Sequence, residues 1–217
     1  MTSSDLTARC RERRDEFWRG VGQLGADQAP LSGVDESASW PSGTSSYARV
    51  GTVHSGIVAT DGLSDPGRGD APDGVPGLGV ELYVESTELM EEDPGEARWL
   101  VTALEEAAGA VAGAAASLPD ALTDHSLLSL EISGADAPAE WRSGGRLGLL
   151  LGVELPGRPS GFDLDGVTVR ALTCTPLRPS ELAVVTAEGP AGRRRVAEAL
   201  AAQGWYSYAD TERPAVL

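Results

Sequence analysis

Two histidines and two cysteines are the candidates in this sequence for imidazole or thiol catalysis and for binding a transition metal. His54 and His125 lie far apart, and neither has neighbours at the spacing typical of zinc ligands. Cys10 and Cys174 form no C-x-x-C pair, and we expect both to be free thiols, with Cys174 a small buried residue of a strand rather than a nucleophile. The histidines are predicted to be structural or exposed.

Acidic residues form the densest group of side chains that could take part in catalysis or metal binding. Asp61, Asp65, Asp70 and Asp73 could together bind a hard cation or share a proton as an acid pair. Since His54 precedes them, one hypothesis is a small hydrolase that uses Asp61, Asp65 and His54. The alternative interpretation is a solvated acidic loop with no chemistry.

Other signatures of catalysis and cofactor binding fail. The chain contains no lysine, so a conventional Walker A loop is excluded, and it has no G-x-S-x-G elbow. Asp163–Gly166 begins like a calcium loop, but its glycine comes too early, and we predict a turn between strands. Arg193–Arg195 could hold an anion at a helix N-terminus or form an exposed basic face. We therefore expect no enzyme, no cofactor and no metal.

The charge of the chain narrows the class of partner. The 217 residues include 33 acidic and 17 basic side chains, for a net charge of −16. Residues 51–100 alone hold 11 acids and 2 arginines. Such a surface repels nucleic acid and anionic membranes, and it suits a basic protein partner. Solubility alone is the other interpretation.

The first residues and the hydrophobic runs predict a location. Residues 1–23 are charged and lack the apolar core of a secretory signal. Apolar runs elsewhere fall short of the length that a transmembrane helix needs. We expect a cytoplasmic protein.

The hydrophobic periodicity predicts four helices and seven strands. The helices are expected at Ser4–Gly20, Glu96–Ala116, Pro179–Val185 and Pro190–Gln203. The strands are expected at Tyr47–Val53, Gly56–Thr60, Leu78–Ser86, Leu127–Ile132, Arg146–Leu155, Val167–Cys174 and Trp205–Tyr208. This order indicates an α+β fold with a mixed or mainly antiparallel sheet and helices packed on it.

Three segments carry more specific expectations. Leu78–Ser86 alternates apolar and polar residues, which predicts a half-buried strand. Arg146–Leu155 is almost continuously apolar, which is typical of a central strand, with Leu150 on the face opposite its other leucines. Gly25–Ser46 and Asp61–Gly77 are rich in glycine, proline and polar residues, which predicts long loops.

One motif resembles a known family. A strand runs into Gly62-Leu-Ser-Asp65, and after an acidic loop a second strand begins with Gly79-Val-Glu-Leu82. In order and spacing this resembles the suppressor of fused family, as do Trp99 in the next helix and the closing segment Trp205–Asp210. The resemblance covers residues 45–217 and implies a suppressor of fused-like domain. Residues 1–44 are expected to add an N-terminal helix and loop to the same unit.

The family resemblance also implies a function. Animal members bind and sequester a transcription factor, whereas small bacterial relatives are regarded as immunity-like proteins of toxin systems. The resemblance therefore implies a non-enzymatic binding protein that neutralises a basic toxin, with a transcription-factor regulator as the alternative. The residues expected to contact the partner are Asp61, Gly62, Leu63, Ser64, Asp65, Asp70, Asp73, Glu91 and Glu92. A purely structural role for the motif turn is the other interpretation, because Ser64 and Asp65 can hydrogen-bond their own backbone.

Overall fold

A computed structural model describes residues 3–31, 40–41, 43–67, 77–91 and 93–217. The helices are α1 (Ser3–Val21), α2 (Arg98–Gly113), α3 (Leu118–Asp124), α4 (Pro179–Glu188) and α5 (Pro190–Ala202). The strands are β1 (Gln23–Gln28), β2 (Tyr47–Gly51), β3 (Gly56–Thr60), β4 (Val80–Ser86), β5 (Leu128–Ile132), β6 (Arg142–Ser143), β7 (Arg146–Leu151), β8 (Gly161–Leu164) and β9 (Val167–Leu177).

The strands form one mixed sheet with the order β1-β2-β3-β4-β9-β7-β5, while β6 pairs with β7 and β8 pairs with β9. The β4–β9 pair is parallel, and the other pairs are antiparallel. The eleven-residue β9 lies at the centre, because it pairs with β8, β4 and β7 along its length. The predicted α+β fold with a mainly antiparallel sheet is confirmed.

Helices cover both faces of the sheet. On β4, Leu82 and Val84 belong to the core under α2, whereas Tyr83 contacts Trp18 of α1 on the opposite face. All seven residues of β4 are buried. The prediction of a half-buried strand is therefore wrong: the alternation of apolar and polar residues reflects two different buried faces, one of which contains paired carboxylates.

Small residues let α2 approach the sheet. The helix buries Ala103, Ala107 and Ala108 together with Leu100 and Leu104. Alanine adds no side-chain bulk or side-chain entropy cost, so the helix forms readily and packs close to the strands.

β7 lies inside the sheet between β9 and β5. Leu147 and Leu149 pack into the core that contains α2, whereas Leu150 packs with Leu182 of α4 and Leu200 of α5. The predicted placement of Leu150 on the other face is correct. The strand ends at Leu151, earlier than the predicted Leu155.

Two local predictions are wrong. Gln23–Gln28 forms the edge strand β1, which overlaps the beginning of the predicted loop Gly25–Ser46; its polar, mostly exposed residues carry no alternating signal. Residues 32–39 and 42 of that loop lie outside the described residues. Trp205–Tyr208 is a turn rather than a strand, because Gly204 and Tyr206 both take positive φ values, 80° and 50°, after α5. The short elements α3 and β8 were not predicted.

A buried ion pair ties the final residues of the chain to α4. Arg213 donates from Nη1 and Nη2 to the two carboxylate oxygens of Glu181, at 2.7 and 2.8 Å. Both side chains are almost fully buried. Val216 N donates to the same carboxylate at 2.9 Å. A two-pronged contact of this kind holds the chain after α5 in one position.

In the described part of the chain, every helix is too short or too polar to cross a bilayer.

Candidate functional site

The motif turn follows the end of β3 and needs glycine at two positions. Gly62 has a φ of 135°, in a region that glycine reaches without steric strain. Gly77 has a φ of 30°, and a Cβ there would lie 2.3 Å from the Asp65 carbonyl oxygen. Leu63 is fully buried, and its carbonyl accepts from Leu78 N at 2.8 Å. The two chain segments that flank the acidic loop are thus packed directly against each other.

Glu81 of β4 anchors this turn from the sheet. Its Oε1 accepts hydrogen bonds from Ser64 N at 3.0 Å, from Ser64 Oγ at 2.6 Å and from Gly62 N at 3.3 Å. Its Oε2 accepts from Thr60 Oγ1. The side chain is fully buried, and this burial raises the pKa of Glu81, although the charge of Arg14 and the hydrogen bonds oppose that shift.

Arg14 of α1 supplies the positive charge in the same cluster. It is 2 % exposed, and its guanidinium donates to Asp61, to Ser64 Oγ at 3.0 Å, to Asp65 Oδ1 at 2.9 Å and to Glu81 Oε1 at 3.1 Å. Burial by itself would lower the pKa of Arg14, but the three carboxylates raise it above its ordinary value. We call these residues, Arg14, Asp61, Ser64, Asp65 and Glu81, the Arg14 cluster.

The thiol beside the Arg14 cluster is not a nucleophile. Cys10 lies one turn before Arg14 on α1, and its Sγ is 3.1 Å from the Ser64 carbonyl oxygen. Burial raises the pKa of Cys10 to about 11, so the reactive thiolate is scarce at neutral pH. Cys174 is buried as well, and burial raises its pKa further. Both are free thiols, as predicted.

The structure brings part of the predicted contact set together inside the protein. The Asp61 and Asp65 side chains are only 8 % and 11 % exposed, and both are paired with Arg14. Gly62, Leu63 and Ser64 are buried too. Glu91, by contrast, is exposed after β4. Asp70, Asp73 and Glu92 lie outside the described residues. The contacts of the motif turn match the structural role that was its other interpretation.

Sequence reasoning missed Arg14. Helical spacing groups Leu6, Cys10, Phe17 and Val21 on one apolar face of α1, which predicts that its arginines lie on the other face. In the structure the buried line of the helix is Leu6, Cys10, Arg14 and Trp18, each four residues after the last. The i, i+4 spacing was therefore a usable signal, but an arginine on a buried line is expected only when a carboxylate opposite it is known.

The residues of the rival hydrolase do not assemble. His54 is exposed in the β2–β3 turn, at the opposite end of β3 from Asp61. With about 3.3 Å per residue along a strand, His54 and Asp61 are about 20 Å apart. Asp61 and Asp65 are also occupied by Arg14. A base and an acid pair in one pocket, which that hypothesis needs, are not found at these residues.

Comparison with solved structures identifies a protein with a similar fold. No family model matches the chain, and no curated protein matches it. Among solved structures, a chain in the crystal structure of the Sufu–Fu complex superposes with a TM-score of 0.54, over 97 % of this chain and 91 % of that one, at 14 % sequence identity. The fold is suppressor of fused-like. At this identity the likeness concerns the fold alone, and it covers α1 as well as the segment in which the motif resemblance was noticed.

We expect that folding of this protein does not depend on a bound metal ion. Among the described residues, no group of three or more histidine, cysteine or carboxylate side chains is placed to hold a metal ion. We expect a chelator such as EDTA to leave the melting temperature unchanged. Differential scanning fluorimetry with and without EDTA tests this; a drop of several degrees that zinc or calcium reverses would contradict it.

Proposed function

We propose that this protein is a cytoplasmic, non-enzymatic binding module of the suppressor of fused type that neutralises a basic protein toxin by stoichiometric binding. The observation that carries the proposal is the combination of this fold with a net charge of −16. The similar solved chain comes from a complex of two proteins, which supports a binding role for the fold. A toxin that acts on nucleic acid is basic because it must bind phosphate, and an acidic surface suits it.

The binding surface in this proposal is formed by the exposed acids that follow β4, at the opposite end of β3 and β4 from the motif turn. Glu91, Asp93 and Glu96 are exposed on the segment between β4 and α2, and Met90 beside them is 54 % exposed. We call Met90, Glu91, Asp93 and Glu96 the acidic surface. An exposed methionine among acids offers an apolar contact that adapts to its partner. Asp70, Asp73 and Glu92 remain part of the proposed contact set.

The Arg14 cluster has the supporting role in this mechanism. By fixing both ends of the acidic loop against α1 and β4, it lowers the entropy that the loop loses on binding. The three carboxylates of the cluster are compensated internally by hydrogen bonds and by Arg14, so a partner gains little by approaching them. The partner instead meets the exposed acids, which accelerate encounter by electrostatic steering.

A pair of charge-matched variants tests the acidic surface. We expect a variant with Glu91, Asp93 and Glu96 all changed to arginine to bind the partner with an association rate at least tenfold lower, and to melt like the wild type. The control changes the exposed Glu12, Asp120 and Asp124 to arginine, which alters the net charge equally but elsewhere on the surface. The measurement is stopped-flow or surface-plasmon kinetics at several salt concentrations, with a partner captured from the native host.

The salt series separates steering from other modes of binding. Because charges are screened beyond about 8 Å at physiological ionic strength, the wild-type association rate should fall steeply with salt. The triple variant should lose most of this dependence, whereas the control should keep it. Equal rates for all three proteins, independent of salt, would remove the acidic surface from the mechanism. A captured partner without toxic activity would refute the immunity role while leaving the binding role intact.

A further inference from the structure

A cavity of about 670 Å³ opens on the face of the sheet that carries α5. Its floor is formed by Tyr83 of β4 with Ala171 and Thr173 of β9, one wall is α5, and the segment 152–160 between β7 and β8 closes another side. This size lies within the usual range for small-molecule sites, about 300–1,000 Å³. The cavity is separate from both the Arg14 cluster and the acidic surface, neither of which contributes a residue to it.

Three arginines line the cavity of a strongly acidic protein. Arg158 pairs with the buried Glu85. Arg170 donates to the carbonyl oxygens of Leu122 and Ser126, at 3.2 and 3.1 Å. Among the described residues, no carboxylate lies within ion-pair distance of Arg170 or Arg194. Two guanidinium groups at one cavity therefore lack an ion-pair partner among the described residues.

Polar atoms at the cavity edge also lack hydrogen bonds. Arg158 Nε is buried and finds no partner among the described residues, and the same holds for Oε2 of Glu85, the residue that Arg158 binds. Buried polar atoms in folded proteins are almost always satisfied by protein, water or ligand. Both atoms are closed off from solvent, so they lie behind the wall of the cavity.

Backbone strain marks the same place. Tyr206 lines the cavity and has a φ of 50°, a value that a bulky residue rarely adopts. Such strain persists only where the surrounding structure imposes it, and it concentrates at functional sites. Here the strained residue, Tyr206, comes two residues after Gly204, just beyond the end of α5, and its position puts an aromatic side chain on the wall of a charged cavity.

We propose that this cavity binds a small molecule that carries one phosphate or carboxylate group, with Arg194 contacting the anionic oxygens and Tyr206 contacting the rest of the ligand. Guanidinium groups bind both kinds of oxyanion through paired N–H donors. Glu154 and Glu198, which also line the cavity, repel additional negative charge. The site therefore selects compact ligands with a single anionic group and rejects nucleic acid and other polyanions.

Two adjacent arginines of α5 provide a matched test. Arg194 lines the cavity, whereas Arg195 does not and instead pairs with Glu188 at 2.7 Å. Both arginines are exposed, so Arg194→Gln and Arg195→Gln remove the same charge without disturbing the core. Inorganic phosphate and acetate are titrated separately into each full-length protein at constant ionic strength, and binding is followed by NMR chemical shifts of backbone amides.

We expect at least one of the two anions to bind the wild type, with shifts concentrated at Gly152–Ser160 and α5. Arg194→Gln should raise the dissociation constant of that anion at least tenfold, and Arg195→Gln should leave this constant within twofold of the wild-type value. The anion that binds identifies the ligand class as phosphate or carboxylate. If neither anion binds at 50 mM, the proposal is overturned. An equal loss of affinity in the two variants also overturns it, because that result indicates nonspecific attraction to positive charge.

Discussion

Replacing Arg14 with methionine is expected to destabilise the protein by about 3–5 kcal/mol, because Asp61, Asp65 and Glu81 would remain together without their cation. Methionine keeps much of the length of the side chain and removes only the charge and its hydrogen bonds. For a domain of this size the loss corresponds to a fall in melting temperature of roughly 10 °C. Thermal and urea denaturation followed by circular dichroism measure both quantities.

The neighbouring arginine is the control for that variant. Arg13 pairs with Glu16 on the exposed side of α1, with both side chains more than half exposed. Arg13→Met should change the stability by no more than about 0.5 kcal/mol, since exposed ion pairs contribute little. If Arg14→Met has the same melting temperature as Arg13→Met and the wild type, then the Arg14 cluster does not hold α1 on the sheet.

The stability gap between Arg14→Met and the wild type should also depend on pH. Burial raises the folded-state pKa of Glu81 above its reference value of 4.5, so a proton on Glu81 favours the folded state. Without Arg14, which opposes this shift, the folded-state pKa rises further. The penalty is then complete above that pKa and is relieved as the pH falls towards 4.5. We expect the gap in melting temperature to narrow between pH 7 and pH 5; a constant gap would show that Glu81 is not part of the penalty.

Replacing Leu149 with aspartate is expected to prevent folding at ordinary temperatures. Leu149 is 1 % exposed on β7, in the core beneath α2. A carboxylate there would have no partner, and its burial costs several kcal/mol, which is most of the stability of a typical domain. The expected result is loss of the native circular dichroism spectrum and of a cooperative melting transition.

The same change at an exposed valine tests whether burial is the cause. Val53 is 83 % exposed in the turn between β2 and β3, so Val53→Asp should melt within a degree or two of the wild type. A Leu149→Asp protein with a native spectrum and an unchanged melting temperature would contradict the placement of β7 inside the sheet.

Elements with a strong local signal were predictable from the sequence. The helix α1, the strand β3 and the helices α4 and α5 lie within a few residues of the predicted ranges. Their apolar residues recur at the period of one secondary structure, and proline or glycine marks several of their ends. The edge strand β1 was missed for the opposite reason: its exposed, polar residues have no period, and only pairing with β2 makes it a strand.

The site was predictable only in part. The motif Gly62–Asp65 was singled out, and the structure gives it three hydrogen bonds to Glu81, a residue that sequence patterning placed on the solvated face of its strand. The sequence alone does not show whether a polar residue faces water or a buried opposite charge. The division of the chain at residue 44, and the part that Asp70, Asp73 and Glu92 have in binding, stay predictions.

By itself the sequence determined the class of fold, the dominance of negative charge and the approximate ranges of several helices and strands, because these depend on local periodicity and composition. Only the tertiary structure decided that Arg14 meets Asp61, Asp65 and Glu81, and that Arg158, Arg170 and Arg194 line one cavity. These residues are separated by tens of positions along the chain. What joins them is the packing of helices on a sheet, and burial then turns ordinary charges into a cluster and a candidate binding site.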